Sequence, residues 1–230
     1  MQCVILAAGR GTRMGSLTEA LPKPLLMVGG KTLLEHQLDI LPDTIDEVIL
    51  VVGYLGSQIE RRFGGFYNNK KILYVEQGDI HGTAGALWSA REILRDKFLV
   101  MMADDIHDAR DVERCLKAKQ WALLVQKLPE MNDAGDVQLD KTGRIIDIVE
   151  GRHGKKAGLA STNLFFLDTR IFQSTLEAKE LDSQEFGLPQ TALSASKQRG
   201  IKFEAILTEK WIRISEPADL QKAEKILLRP

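Results

Sequence analysis

Apolar and polar positions alternate in blocks that predict a β-loop-α order through the first half of the chain. Cys3 to Leu6 is a short apolar run of the kind that forms a buried strand, and it empties into small residues at Ala7, Ala8, Gly9, Gly11 and Gly15. Thr32-Leu33-Leu34-Glu35 has the form of a capping box, and Leu33, Leu34, Leu38 and Leu41 follow with helical spacing. Glu47 to Val52 predicts a second buried strand, Leu55 to Phe63 a helix and Ile72 to Glu76 a third strand. A second glycine-containing loop leads into a helix from about Ala84, and Phe98 to Met102 predicts a fourth strand ending in Ala103-Asp104-Asp105. This order predicts an α/β fold: a Rossmann-like three-layer α/β/α arrangement around a mostly parallel sheet. Its ligand site would lie beyond the carboxyl ends of the strands.

The pattern changes in the second half. Ala122–Gln126, Val137–Leu139, Ile145–Val149 and Leu159–Phe166 predict strands, with a hairpin turn at Asp140-Lys141-Thr142-Gly143. Helices are expected over Thr169–Leu176, Leu188–Arg199 and Pro217–Leu228. The expectation is a single domain of two halves, residues 1–120 and a smaller β-rich lid over residues 121–230.

Composition narrows the function. The 230 residues carry a net charge of -1, so no general attraction to nucleic acid or an anionic membrane is expected. No apolar run approaches the roughly 18 residues of a membrane span, and the opening residues enter a strand at once, so a cytoplasmic protein is expected. Cys3 and Cys115 are too few for a disulfide framework or a zinc site and read as reduced thiols near the core. The four histidines form no ligand pattern, and Trp88 reads as core.

The opening loop holds Arg10 and Arg13 and no carboxylate before Glu19, which suits a phosphate ligand. Neither common phosphate motif fits. Met14 stands where the Walker pattern and the dinucleotide fingerprint each require glycine.

A third pattern does fit. Leu6 to Met14 reads L-A-A-G-x-G-T-R-M, followed by Pro22-Lys23-Pro24-Leu25. This opening resembles the sugar-1-phosphate nucleotidylyltransferases, or NDP-sugar pyrophosphorylases. The resemblance implies the fold type of nucleotide-diphospho-sugar transferases, and a reaction in which a sugar-1-phosphate attacks the α-phosphorus of a nucleoside triphosphate and releases pyrophosphate. It implies phosphate contacts from Arg13 and Lys23, nucleotide contacts from Ala8, Gly9, Gly11 and Thr12, and a Mg²⁺ ligand at Asp104, where Ala103 replaces the usual glycine. Asp105 and Asp108 read as helix-capping or solvated. Homo-oligomers are also common in such families.

Gln77 and Gly82 match a Q-x-x-x-x-G loop whose glutamine reads a pyrimidine edge, with Thr83 beside it. The alternative register, Gly82 to Leu87, looks more like the loop of guanylyltransferases; the pyrimidine reading is preferred. Glu150 resembles the glutamate of an E-K-P motif, with Gly151 and Arg152 in place of lysine and proline, and Lys155 or Lys156 could supply the missing cation. Ser161-Thr162-Asn163 stands where the pattern has N-A-G. Arg213 occupies the place of a second metal-binding aspartate, in the run from Trp211 to Leu220. The acceptor set is therefore Glu150, Ser161, Asn163 and Arg213.

These departures keep two alternatives open: transfer to a non-sugar phosphomonoester such as phosphocholine or inositol phosphate, and a regulatory pseudoenzyme that binds nucleotide without turnover. A glycosyltransferase is disfavoured by the absence of D-x-D.

Overall fold

A computed structural model describes residues 1–131, 134–151, 156–180 and 183–227. The expected Arg152, His153, Lys155 and the final residue of the last helix, Leu228, lie outside the described residues.

The core of the molecule is the parallel set β1 (Gln2–Ala7), β4 (Glu47–Val52), β6 (Lys70–Glu76) and β7 (Lys97–Met102), in the order β7-β1-β4-β6. The side chains of β1, β4 and β7 are buried on both faces, as the unbroken apolar runs require, while β6 is only partly buried. Before β4 come the short hairpin β2 (Met27–Val28) with β3 (Lys31–Thr32) and helix α1 (Leu33–Asp39). Thr32 and Glu35 form the expected capping box, Oγ1 accepting from the Glu35 N–H at 3.1 Å and Glu35 Oε2 from the Thr32 N–H at 2.7 Å. Helix α2 (Gly56–Phe63), the edge strand β5 (Phe66–Tyr67) and helix α3 (Gly82–Ser89) complete the first half up to β7.

The chain then forms β8 (Asp105–Ile106), α4 (Ala109–Leu116), β9 (Trp121–Leu128), β10 (Asp136–Leu139), β11 (Ile145–Val149) and the long β12 (Gly158–Asp168). Strand β12 pairs antiparallel with β7, so the β-rich half continues the sheet of the first half. Strand β9 joins β12, and β13 (Phe203–Thr208) lies parallel to β9. Helix α5 (Leu188–Arg199) precedes β13; β14 (Ile212–Arg213) and α6 (Pro217–Leu227) follow it. The sheet is thus mixed, with a parallel centre and antiparallel additions. Thr169–Gln173 forms a 3₁₀ turn in place of the longer helix expected there.

Two apolar layers cover the sheet. One gathers Val4, Phe98, Trp121, Phe165 and Leu188; the other gathers Ile5, Leu34, Leu38, Ile59 and Leu124. Trp88 is buried and meets the Phe172 ring edge to face at 5.0 Å between centroids, a packing role. Cys3 and Cys115 are both buried, and burial pushes their thiols well above the ordinary range. Among the described residues no helix is long and apolar enough to cross a membrane.

Candidate active site

The parallel strands deliver three loops to one end of the sheet. The loop after β1 carries Ala8 to Arg13, the loop after β6 carries Gln77 to His81, and the loop after β7 carries Ala103 and Asp104. Main-chain bonds tie them together: Ala103 N–H donates to Leu6 O at 3.1 Å, Tyr54 N–H to Ala8 O at 3.2 Å, and Gln77 N–H to Val52 O at 2.8 Å. Between them lies a cleft of about 520 Å³. Ala8, Gly9, Gly11, Thr12, Arg13, Lys23, Gln77, Gly82, Thr83 and Asp104 all line it, which brings together the whole nucleotide and phosphate set expected from the sequence.

Gly11 has φ of +63°, and a Cβ there would sit 3.0 Å from Lys23 Cβ. The missing side chain lets Lys23 pass beneath the loop. Thr18 Oγ1 donates to Gly11 O at 3.0 Å and Met14 N–H to the same oxygen at 2.9 Å, fixing the turn. Lys23 is 6% exposed, and its ammonium donates to Asp104 Oδ2 and to the Ile214 carbonyl, each at 2.5 Å. Arg13 is exposed at the cleft wall. Arg10 also lines the cleft, its guanidinium stacked 4.9 Å above the Tyr54 ring.

On the opposite wall, Gln77 Nε2 donates to the Ile80 carbonyl at 3.0 Å and the Gly82 carbonyl at 3.4 Å. Its Oε1 is left to accept; the amide orientation is assigned through this network. Gly82 has φ of +89°, and a Cβ on it would stand 2.6 Å from the Phe186 nitrogen.

Asp105 departs from the expectation of a capping or solvated residue. It is 5% exposed, because β8 pairs with β14 and sets Asp105 opposite Arg213. Burial, then the charge of Asp104, holds its carboxyl well above the usual carboxylate range, with Lys23 and Arg213 opposing. Asp108 does cap α4, accepting from the Arg110 N–H at 2.9 Å.

The acceptor set lies beside the cleft and does not line it. Ser161 and Asn163 sit at an irregularity of β12, where Ser161 Oγ donates to Asn163 Oδ1 at 3.3 Å. Asn163 has φ of +55°. Asparagine tolerates that left-handed conformation, so the position where the resembled motif has glycine keeps its backbone shape. Ser161 N–H donates to Gly135 O at 2.9 Å, and a Cβ on Gly135 would fall 2.7 Å from Glu150 Oε1, so Glu150 and Ser161 meet across this glycine. Burial raises the Glu150 carboxyl above its ordinary value, opposed by Gln190, Lys179 and Arg213.

Two cleft residues carry no motif: Lys179 and Glu185, from the segment before α5. Ser215, after β14, lines the cleft as well.

The chain has relatives among known proteins. The family model described as nucleotidyl transferase matches residues 2–228. The bifunctional protein GlmU of Methanocaldococcus jannaschii is 32% identical over 99% of this chain and 54% of its own length, so the chain spans about half of that relative. The UTP–glucose-1-phosphate uridylyltransferase AglF of Haloferax volcanii is 28% identical over 99% of this chain and 96% of its own. A crystal structure from Bacillus anthracis, assigned as a glucose-1-phosphate thymidylyltransferase and holding sucrose, superposes with a TM-score of 0.78 at 22% identity, covering 98% of this chain and 95% of its own. That likeness shows the fold.

Proposed function

The chain belongs to the nucleotidyl transferase family, and we propose that within it the protein transfers a nucleoside monophosphate from a nucleoside triphosphate to a sugar-1-phosphate, giving an NDP-sugar and pyrophosphate. The observation that carries this reading is the Lys23–Asp104 pair at the floor of a glycine-walled cleft. The names of AglF, a glucose-1-phosphate uridylyltransferase, and of the Bacillus anthracis thymidylyltransferase favour a sugar-1-phosphate over phosphocholine, inositol phosphate or a silent pseudoenzyme.

A phosphomonoester is already an anion at neutral pH, so the attack on the α-phosphorus needs no general base. As the acceptor oxygen bonds to phosphorus, the bond to the β-phosphate oxygen breaks and pyrophosphate carries the charge away. The protein's work is positioning and charge neutralisation. Exposed N–H groups of the Gly9–Thr12 loop, with Arg13 and Lys23, take the triphosphate.

Gln77 Oε1 is an acceptor in the base wall and suits a base with an N–H on its pairing edge. Uracil and thymine meet this, as does guanine; the uridylyl and thymidylyl names among the relatives favour the pyrimidines.

A divalent cation, Mg²⁺, fits Asp104: a half-buried carboxylate at the phosphate end of the cleft, able to supply one ligand while phosphates and water supply the others. The ion would neutralise phosphate charge. With Arg213 in place of a second aspartate, a fixed cation stands near Asp105 and Glu150. Glu150, Ser161 and Asn163 then offer oxygen and amide groups to sugar hydroxyls.

The test is pyrophosphate release from UTP or dTTP with glucose-1-phosphate. Release confirms the reaction, and its loss in Lys23→Met ties it to this cleft.

A further inference from the structure

The acceptor side lacks a cation where the resembled E-K-P pattern has lysine, since Gly151 follows Glu150. Lys156 is exposed and does not line the cleft. A phosphate dianion brought toward Glu150 would meet a carboxylate, and among the described residues of its loop, Gly151 and Lys156, no cation lines the cleft.

We propose that Lys179 supplies this charge from a different part of the chain, and binds the phosphate of the acceptor monoester at the mouth of the cleft. The proposal rests on the function proposed above and deepens it.

Placement is the main support. Among the described residues that line the cleft, Arg10, Arg13 and Lys23 belong to the first half, and Lys179 is the cation contributed by the second. Lys179 and Glu185 face each other on a short hairpin, where Ala178 bridges Phe186 and the Lys179 N–H donates to Glu185 O at 2.8 Å. Glu177 O closes the base of the hairpin by accepting from Gly187 N–H at 3.0 Å.

The hairpin is bonded to the nucleotide wall itself. Phe186 N–H donates to His81 O at 3.0 Å, Ala84 N–H donates to Phe186 O at 3.0 Å, and Leu188 N–H donates to Thr83 Oγ1 at 2.9 Å. Gly82 admits this contact because it has no side chain. Lys179 is therefore held in register with the loop that carries Gln77 and Thr83. On the other side its charge reaches Glu150.

The Lys179 ammonium rests 3.6 Å from Glu185 Oε2, with both side chains about half exposed. Such a pair is weak and exchanges readily for a dianion. Glu185 would hold the lysine at the rim until the acceptor arrives.

The test compares wild type with Lys179→Met and Lys179→Arg. Steady-state KM is measured separately for UTP and glucose-1-phosphate, and calorimetry reads glucose-1-phosphate binding to protein saturated with a non-hydrolysable UTP analogue. The proposal expects Lys179→Met to weaken glucose-1-phosphate, in KM and in Kd, by about 10-fold to 100-fold, the range for a lost charge-assisted hydrogen bond. The UTP KM should stay within about twofold and Lys179→Arg should recover most of the loss. Equal weakening of both substrates, or none of either, overturns it. Should wild type release no pyrophosphate, the proposed reaction fails, and the calorimetric comparison still decides Lys179: a lower affinity in Lys179→Met supports the site, and an unchanged or absent affinity overturns it.

Discussion

The ammonium of Lys23 lies 2.5 Å from Asp104 Oδ2, joining the loop before β2 to the end of β7 across 81 positions of sequence. One buried cation thus touches the candidate metal ligand and, through the Ile214 carbonyl, the strand that carries Arg213. Removing it should cost transition-state charge stabilisation. Lys23→Met is expected to lower kcat by about 100-fold or more, the order seen when one preorganised donor is lost. Stopped-flow or coupled pyrophosphate assays check this, with circular dichroism and urea denaturation as the control for retained folding.

Gly82 is held in a left-handed conformation against the Phe186 main chain. Gly82→Ala must either shift the hairpin or strain the loop, and is expected to lower stability by about 2 kcal/mol. Urea denaturation measures it, and the UTP KM should rise together with the loss because the base wall moves.

Arg213 opposes Asp105 across β8 and β14. Arg213→Asp would set a third carboxylate near Asp104 and Asp105 and remove a cation from the acceptor side. Activity should fall by at least about 10-fold, as expected for losing a charged hydrogen-bonding partner. A gain of activity would instead favour the view that arginine silences an ancestral metal site.

His107 is 4% exposed, and burial pushes its imidazole down to about 4 from an ordinary 6.5. Gln37 Nε2 approaches its Nδ1 at 3.4 Å, consistent with a neutral ring that accepts. Between those two values the unfolded chain binds a proton that the folded one does not, so stability rises with pH across this window and is flat above it. The contribution is about 3 kcal/mol at most, since each pH unit separating the folded and unfolded imidazoles is worth roughly 1.4 kcal/mol. Asp105 titrates in the opposite sense, so the test is a difference: the change in unfolding free energy between about pH 4.5 and pH 7 should be smaller in His107→Gln than in wild type.

The convergence of the cleft residues was legible in the sequence because most of them sit at the ends of apolar strands. Gly9, Gly11, Lys23, Gln77 and Asp104 follow β1, β6 and β7 closely, or a short fixed motif, so their convergence follows from parallel topology. The capping box at Thr32 and Glu35 was equally local. Strand β13 was not legible, since Phe203–Thr208 carries Glu204 and borders Lys202, and its burial depends on pairing with the distant β9. The burial of Asp105 was missed for the same reason: strands β8 and β14 are two residues each, too short to leave a pattern. Lys179 and Glu185 belong to no motif, and only the bonds from Phe186 and Leu188 to the α3 loop bring them to the cleft.

The most direct measurement is pyrophosphate release with Mg²⁺ across UTP, dTTP, CTP, GTP and ATP, each against a panel of sugar-1-phosphates and phosphocholine. The account predicts release with UTP or dTTP in at least one sugar-1-phosphate well, abolished by Lys23→Met. Release with phosphocholine alone, or silence in every sugar well while calorimetry shows UTP bound, would contradict it.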